Sequence, residues 1–163
     1  MGQLQFTLMS SIYDWFSWRY EWDRLDSLLD FGVDTRILDL GGGTGKIGRY
    51  FLDHGVSSQW FVVDYNQSML NAGWEDRKDI HWIRGNGTTL PLPDGSMDRI
   101  LMSDSFHHMQ ESNQVLRESH RVLNEDGYLC VEEFDPTTWL GKTISLGEWT
   151  LAMGSHFYSP ETL

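Results

Sequence analysis

The sequence predicts an α/β protein organised around a doubly wound, mostly parallel sheet. Three observations carry that prediction. Short, nearly continuous apolar segments alternate with amphipathic ones between residues 36 and 134, as strands do when helices cover both faces of a sheet. A turn made of Gly41, Gly42, Gly43, Thr44 and Gly45 joins the first apolar segment to an amphipathic one. Asp39 and Asp64 stand near the carboxyl ends of the first two apolar segments, where sheets of this kind hold their ligands.

Each element has its own signal. Residues 11–31 read as helix, because Trp15, Trp18, Trp22, Leu25 and Leu29 recur at three- and four-residue steps with charges between them. Gly32 can stop that helix. Residues 36–40 (RILDL) form a short apolar strand, and residues 41–45 the turn after it. Residues 46–54 place Ile47, Tyr50 and Phe51 on one helical face, and Gly55 ends that helix. Residues 60–64 (WFVVD) are aromatic and β-branched, as strands prefer. A helix starts over residues 67–72, and a third strand spans 80–84. Residues 85–98, rich in Gly, Pro and Asp, form a loop. A fourth strand (99–103), a helix (111–123) and a fifth strand (128–134) follow. Asn124, Glu125, Asp126 and Gly127 read as the turn between the last two. The ligand rule directs attention to residues 39–45, 64–65, 85–87 and 103–108.

Composition bounds the function. A chain of 163 residues suffices for one domain with its own core. At 40% hydrophobic and 22% charged it is neither disordered nor membrane-embedded. No apolar run approaches the roughly 18–20 residues that span a bilayer, so no integral membrane segment is expected. Residues 1–10 lack the cationic start and long apolar stretch of a secretory leader. Twelve basic against 24 acidic residues give a net charge of −12, which repels phosphate backbones and anionic lipid. A nucleic-acid partner is therefore not expected. Cys130 is the single cysteine, which excludes an internal disulfide and a cysteine-cluster metal site, and suits a reducing, cytoplasmic interior. Within its strand Cys130 reads as a small buried hydrophobe.

The glycine turn admits three readings. A phosphate loop needs Gly, four residues, then Gly-Lys-Ser/Thr; anchored on Gly45 and Lys46, the first position is Leu40 and the last Ile47, so the pattern fails. A dinucleotide fingerprint, G-x-G-x-x-G, is satisfied by Gly43 through Gly48, with Asp64 near the ~20-residue distance of a ribose-binding acid. That match supports an NAD(P)-dependent oxidoreductase as an alternative function. The third reading accounts for more residues. Asp39-x-Gly41-x-Gly43-x-Gly45 resembles motif I of the class I S-adenosylmethionine (SAM) dependent methyltransferases. Asp64 followed by Tyr65, Asn66, Gln67, Ser68, Met69 and Leu70 is similar to their ribose-binding segment. Residues 85–98 (GNGTTLPLPDGSMD) closely resemble their loop before the fourth strand. Residues 103–108 (SDSFHH) and 115–128 (VLRESHRVLNEDGY) are similar to the segments that follow. The resemblance covers residues 35–135. It points to the small-molecule branch that includes ubiquinone- and menaquinone-biosynthesis enzymes.

The resemblance implies a Rossmann-like sheet with strand order 3-2-1-4-5. It implies methyl transfer from SAM to a small acceptor by in-line displacement, leaving S-adenosylhomocysteine. The cofactor-binding residues it marks are Asp39, Gly41, Gly42, Gly43, Gly45, Asp64, Tyr65, Asn86, Gly87 and Ser103. Asp64 would accept both ribose hydroxyl protons. Gly41 and Gly43 would leave room for the methionine part, and Asp39 would help hold the loop and the ammonium group. Tyr65 would lay its flat face beside adenine. At residue 86 the family usually has Asp; the Asn86 amide oxygen is expected to take its place as acceptor of the adenine amino group, with the NH2 offered to a ring nitrogen.

The donor is already activated, so alignment and exclusion of water are the protein's main tasks. If the acceptor must lose a proton, His107, His108, Asp104 and Tyr13 are the candidate bases, in that order. Imidazole titrates near neutral pH and is the natural proton acceptor there. A helix-capping or packing role is the competing reading of both histidines. Tyr13 and Asp14 resemble a family segment that closes over SAM. Trp15, Trp18 and Trp22 are read as the apolar face of a helix, with a lid as the alternative. No metal ligand set is expected.

Residues 1–163 are read as one SAM-binding domain: a helical cap (1–31), the core (35–135) and a partial C-terminal segment (136–163). Ser159, Pro160 and Glu161 have the composition of a helix start. The family continues beyond such a point through two more strands, so strands 6 and 7 are expected to be missing. That leaves the fifth strand at an edge, covered by residues 136–158 or by a homodimer. A non-catalytic SAM-binding protein is the remaining alternative. Aromatic residues outside the core suggest a small, partly apolar acceptor.

Overall fold

The computed structural model describes residues 22–133 and residue 137. In order, its elements are α1 (Trp22–Leu29), β1 (Arg36–Leu40), α2 (Lys46–Asp53), β2 (Gln59–Asp64), α3 (Gln67–Asp76), β3 (His81–Arg84), β4 (Met97–Ser103), a 3-10 turn (Phe106–His108), α4 (Ser112–Val122) and β5 (Leu123–Glu132). The five strands form one sheet in the order β3-β2-β1-β4-β5, and all four pairings are parallel. The expected order and class are therefore those observed.

Two cores explain why the strands read as continuous apolar runs. Successive side chains of a strand point to opposite faces. Ile37, Trp60, Val62 and Leu101 join Leu25 and Leu29 of α1, Ile47 and Phe51 of α2 and Leu70 of α3 on one face. Leu38, Val63, Ile100 and Met102 join Val115 and Val122 of α4 on the other. Trp60 is fully buried and stacks on Phe51; burying such side chains contributes about 1.5–3 kcal/mol each. At the amino end of the sheet, the Arg36 guanidinium bonds Asp98 and holds its carboxyl below the usual range.

Element bounds differ from the sequence reading in informative ways. The helix expected over 11–31 is seen from Trp22 to Leu29, and residues 11–21 lie outside the described residues. β4 begins at Met97 rather than 99, because Met97 pairs with Leu123. The turn expected at 124–127 is a correction. α4 passes directly into β5, and those residues form a bulge between the Met97–Leu123 and Arg99–Tyr128 pairs. Turn chemistry is present there, since the Asn124 side chain accepts from Asp126 N at 3.1 Å, but pairing with β4 absorbs it into the strand. Cys130 lies in β5 and packs against the core, but it is half-buried rather than buried as expected. No helix among the described residues is long and apolar enough to cross a membrane.

Candidate functional site

A cavity of about 1110 Å³ opens at the carboxyl ends of the strands, lined by residues 39–44, 63–67, 84–88 and 103–105 among others. Its floor is the glycine turn. Gly41 N donates to Val63 O at 2.7 Å and so carries the β1–β2 pairing one residue past β1. Gly45 adopts a left-handed backbone (φ 63°) as the N-cap of α2, which glycine enters without steric cost. It lies just behind the cavity wall, where a Cβ would stand 2.4 Å from Trp82 Cη2. Gly42 covers Asp39 closely: a Cβ there would fall 2.3 Å from the Asp39 Cγ.

Two carboxylates divide the cavity. Asp64, at the end of β2, accepts from Gly43 N (2.9 Å) on one oxygen and from Asn66 N (2.7 Å) on the other. It thereby joins the glycine turn to the start of α3, where the Asn66 side chain caps Ser68 N at 3.0 Å. Burial raises the Asp64 pKa, and the two backbone donors work against that rise. Asp39 is 2% exposed. Burial first, and the neighbouring Asp64 charge second, push its carboxyl up to about 7.

Beyond β3, Asn86 accepts from Thr88 N at 3.0 Å through Oδ1. Arg121 of α4 secures this loop: its guanidinium donates to Leu90 O (3.0 Å), Leu92 O (2.9 Å) and Glu118, while Glu118 accepts from Leu90 N at 2.8 Å. Tyr65 is exposed at the rim with the Arg84 guanidinium 6.0 Å from its ring.

On the β4 side, Ser103 donates to Glu132 at 2.6 Å. Asp104 holds a positive φ of 46°, an uncommon backbone for a non-glycine residue and one that clusters at ligand sites. The two histidines part ways. His108 lines the cavity. His107 is 1% exposed and is not among the lining residues. Its Nδ1 pairs with Glu133, whose other oxygen accepts from Phe106 N (2.7 Å) and His107 N (3.2 Å). The rings of His107 and His108 lie 4.1 Å apart between centroids.

The structure thus brings Asp39, Gly41, Gly42, Gly43, Asp64, Tyr65, Asn86, Gly87, Ser103, Asp104 and His108 to one cavity. Gly45 and His107 sit one layer behind, and Tyr13 lies outside the described residues. Sequence reasoning passed over Ser105, Met69 and Glu133. Ser105 is buried and donates to Leu40 O at 2.9 Å, and a Cβ on Gly41 would meet it at 2.7 Å. Met69 packs above Gly43. Ser105 and Met69 lie inside the marked segments 103–108 and 64–70 without being singled out, and Glu133 had its own signal, as a charged pair with Glu132 near the end of an apolar strand.

Residues 38–131 match the family described as Methyltransferase domain. The chain is 39% identical over 107 residues to the ubiquinone/menaquinone biosynthesis C-methyltransferase UbiE of Vibrio parahaemolyticus, covering 61% of this chain and 41% of that one. It is 34% identical over 104 residues to the demethylmenaquinone methyltransferase of Renibacterium salmoninarum, covering 64% and 43%. The matched segment therefore spans less than half the length of these relatives. Among solved structures, a SAM-dependent methyltransferase from Thermotoga maritima superimposes with a TM-score of 0.75 at 21% identity, covering 96% of this chain and 74% of that one. That likeness establishes the shared Rossmann-like fold.

Proposed function

The chain belongs to the methyltransferase-domain family, and from that premise we propose that it binds SAM and transfers its methyl group to a small-molecule acceptor. The observation that carries this reading is the pair of carboxylates at opposite ends of one glycine turn. Asp64 is held by Gly43 N and Asn66 N, and each of its oxygens keeps a further lone pair for a ribose hydroxyl. Asp39 is a buried acid with a raised pKa beside Gly42, an environment that a ligand's ammonium group would relieve. The donor set fits SAM at both ends.

When bound, SAM supplies a methyl group already activated on sulfonium. The protein's residues bind, orient and exclude water. Gly41 and Gly43 bring backbone close to the ligand, Tyr65 offers a flat face at the rim, and Ser103 and Gly87 complete the walls. His108 and Asp104, which both line the cavity, would be the candidates to take a proton from an acceptor, with Tyr13 as a further candidate. His107, buried against Glu133, would act through His108.

Family membership and the relatives' activities favour methyl transfer over nicotinamide-dependent oxidation and over non-catalytic binding. The third glycine of the dinucleotide pattern, Gly48, packs against Trp60. The acceptor we infer is small and partly apolar, and the relatives' names make a demethylated menaquinone precursor the first one to assay. The division into cap, core and C-terminal segment, the cytoplasmic location and a homodimer through β5 belong to the same reading. β5 ends the sheet among the described residues, and light scattering reads the oligomeric state. Isothermal calorimetry with SAM and S-adenosylhomocysteine tests the function. Micromolar binding of both is expected, and no binding of either at millimolar concentration overturns it.

A further inference from the structure

We propose that Glu133 is a positioning residue of this site: its carboxylate fixes the proton on Nδ1 of His107 and anchors the turn over residues 106–108, and so sets where His108 stands in the cavity wall. This rests on the SAM-binding reading above and adds to it a residue that does not itself line the cavity.

The whole segment 103–108 is held from the end of β5. Ser103 is the register partner of Glu132 and donates to its carboxylate at 2.6 Å, while Asp104 N donates to Glu132 O at 2.8 Å. Glu133, the next residue, continues the attachment with its side chain. One oxygen accepts from Phe106 N (2.7 Å) and His107 N (3.2 Å), and the other pairs with His107 Nδ1. The two paired side chains are 1% and 5% exposed. A carboxylate so far removed from water needs donors on both oxygens, and three N–H groups of residues 106 and 107 supply them. The turn closes on itself through His108 N to Ser105 O (3.1 Å) and Met109 N to Phe106 O (2.9 Å). His108 is its last residue and lines the cavity, with its ring 4.1 Å from that of His107. Its backbone and a ring it packs against are thus both held through Glu133.

The place of the proton follows from the donors. A proton between a carboxylate and an imidazole nitrogen rests on the nitrogen, the more basic of the two. The two backbone N–H groups favour the ionised carboxylate further. Nδ1 of His107 therefore carries hydrogen and donates to Glu133, which removes that nitrogen from the candidate bases and gives it a scaffold role. Glutamine at residue 133 would reverse this. Its one carbonyl oxygen would serve the two backbone donors, which have no other role to take. Its NH2 would then face Nδ1 as a donor, so the ring would carry its hydrogen on Nε2 instead.

Nitrogen-15 NMR of the histidine rings at pH 8 tests the proposal, with signals assigned from His107→Gln and His108→Gln. Wild type is expected to show a protonated Nδ1 on His107, and so is Glu133→Asp, which keeps the charge. Glu133→Gln is expected to show a bare Nδ1 and a protonated Nε2. A bare Nδ1 in wild type, or one that stays protonated in Glu133→Gln, overturns the proposal. The second readout is the shift of the His108 ring signals on saturation with S-adenosylhomocysteine. Glu133→Gln is expected to alter that shift while its calorimetric affinity stays within about threefold of wild type, because the residues given to the cofactor lie on other strands or earlier in the segment. A His108 response identical to that of wild type overturns the positioning role. A purely structural Glu133 would lower the unfolding midpoint and leave the His107 proton and the His108 response where they were. Absence of S-adenosylhomocysteine binding to wild type overturns the SAM reading; the state of Nδ1 is read without ligand and still decides what Glu133 does to His107.

Discussion

The carboxylate of Asp64 accepts a hydrogen bond from Gly43 N at 2.9 Å, across two neighbouring strands. With the second bond from Asn66 N at 2.7 Å, it couples the shape of the glycine turn to the start of α3. Asp64→Asn puts an NH2 group opposite one of two backbone donors, and one of them loses its acceptor. Calorimetry is expected to show S-adenosylhomocysteine affinity falling about 10- to 100-fold, from the loss of one or two charge-assisted bonds. Retention of wild-type affinity would contradict the role given to Asp64.

Asp39 makes stability depend on pH in the direction opposite to most carboxylates. Its folded pKa is raised to about 7 from 3.8, by burial first and Asp64 second. Between those values the folded protein keeps a proton that the unfolded chain has released, so stability falls as pH rises through that window and levels off above it. Asp39→Asn removes this dependence. In urea unfolding from pH 4 to pH 8, the variant is expected to gain on wild type as pH rises. A pH-independent difference would contradict the assignment. Calorimetry is expected to show the variant binding S-adenosylhomocysteine more weakly at pH 8, where wild type offers the ammonium group a carboxylate.

Gly42→Ala tests the close approach of turn and acid. Its Cβ would lie 2.3 Å from Asp39 Cγ and 2.5 Å from Oδ2, so the turn or the carboxylate must move. A loss of about 1–3 kcal/mol in chemical denaturation is expected, together with weaker ligand binding. Gly55→Ala is expected to lose stability for a different reason: nothing lies within 4 Å of its Cβ position, but its backbone holds φ 85°, which alanine disfavours.

Arg121 holds the loop that carries Asn86. Arg121→Ala leaves Leu90 O and Leu92 O without their guanidinium donors and is expected to cost about 1–3 kcal/mol. Arg121→Lys is expected to recover only part of this, because an ammonium cannot reproduce the planar fork that spans the two carbonyls and Glu118. Hydrogen exchange at Leu90 N, which donates to Glu118, reads the loosening directly.

The sequence by itself determined the alternation of strands and helices, the sheet class and the acids flanking the glycine turn. These are short-range signals. A strand buried on both faces must be largely apolar, as 36–40 and 60–64 are apart from Arg36, Asp39 and Asp64, and a strand-to-helix turn of this shape needs glycine at Gly45. Tertiary structure decided what depends on partners distant in the chain. The turn chemistry at 124–127 was legible, but β4 pairing converts it to a bulge. Histidines 107 and 108 are equivalent as letters; Glu133, brought alongside by the β4–β5 pairing, draws His107 inward and leaves His108 on the cavity wall. The Asn86 oxygen, expected to serve a ligand, also accepts from Thr88 N, a contact that appears only in the folded loop. Periodicity and turn composition are written in neighbouring residues, whereas which polar atom stays available to a ligand is settled only when the folded backbone has satisfied its own hydrogen bonds.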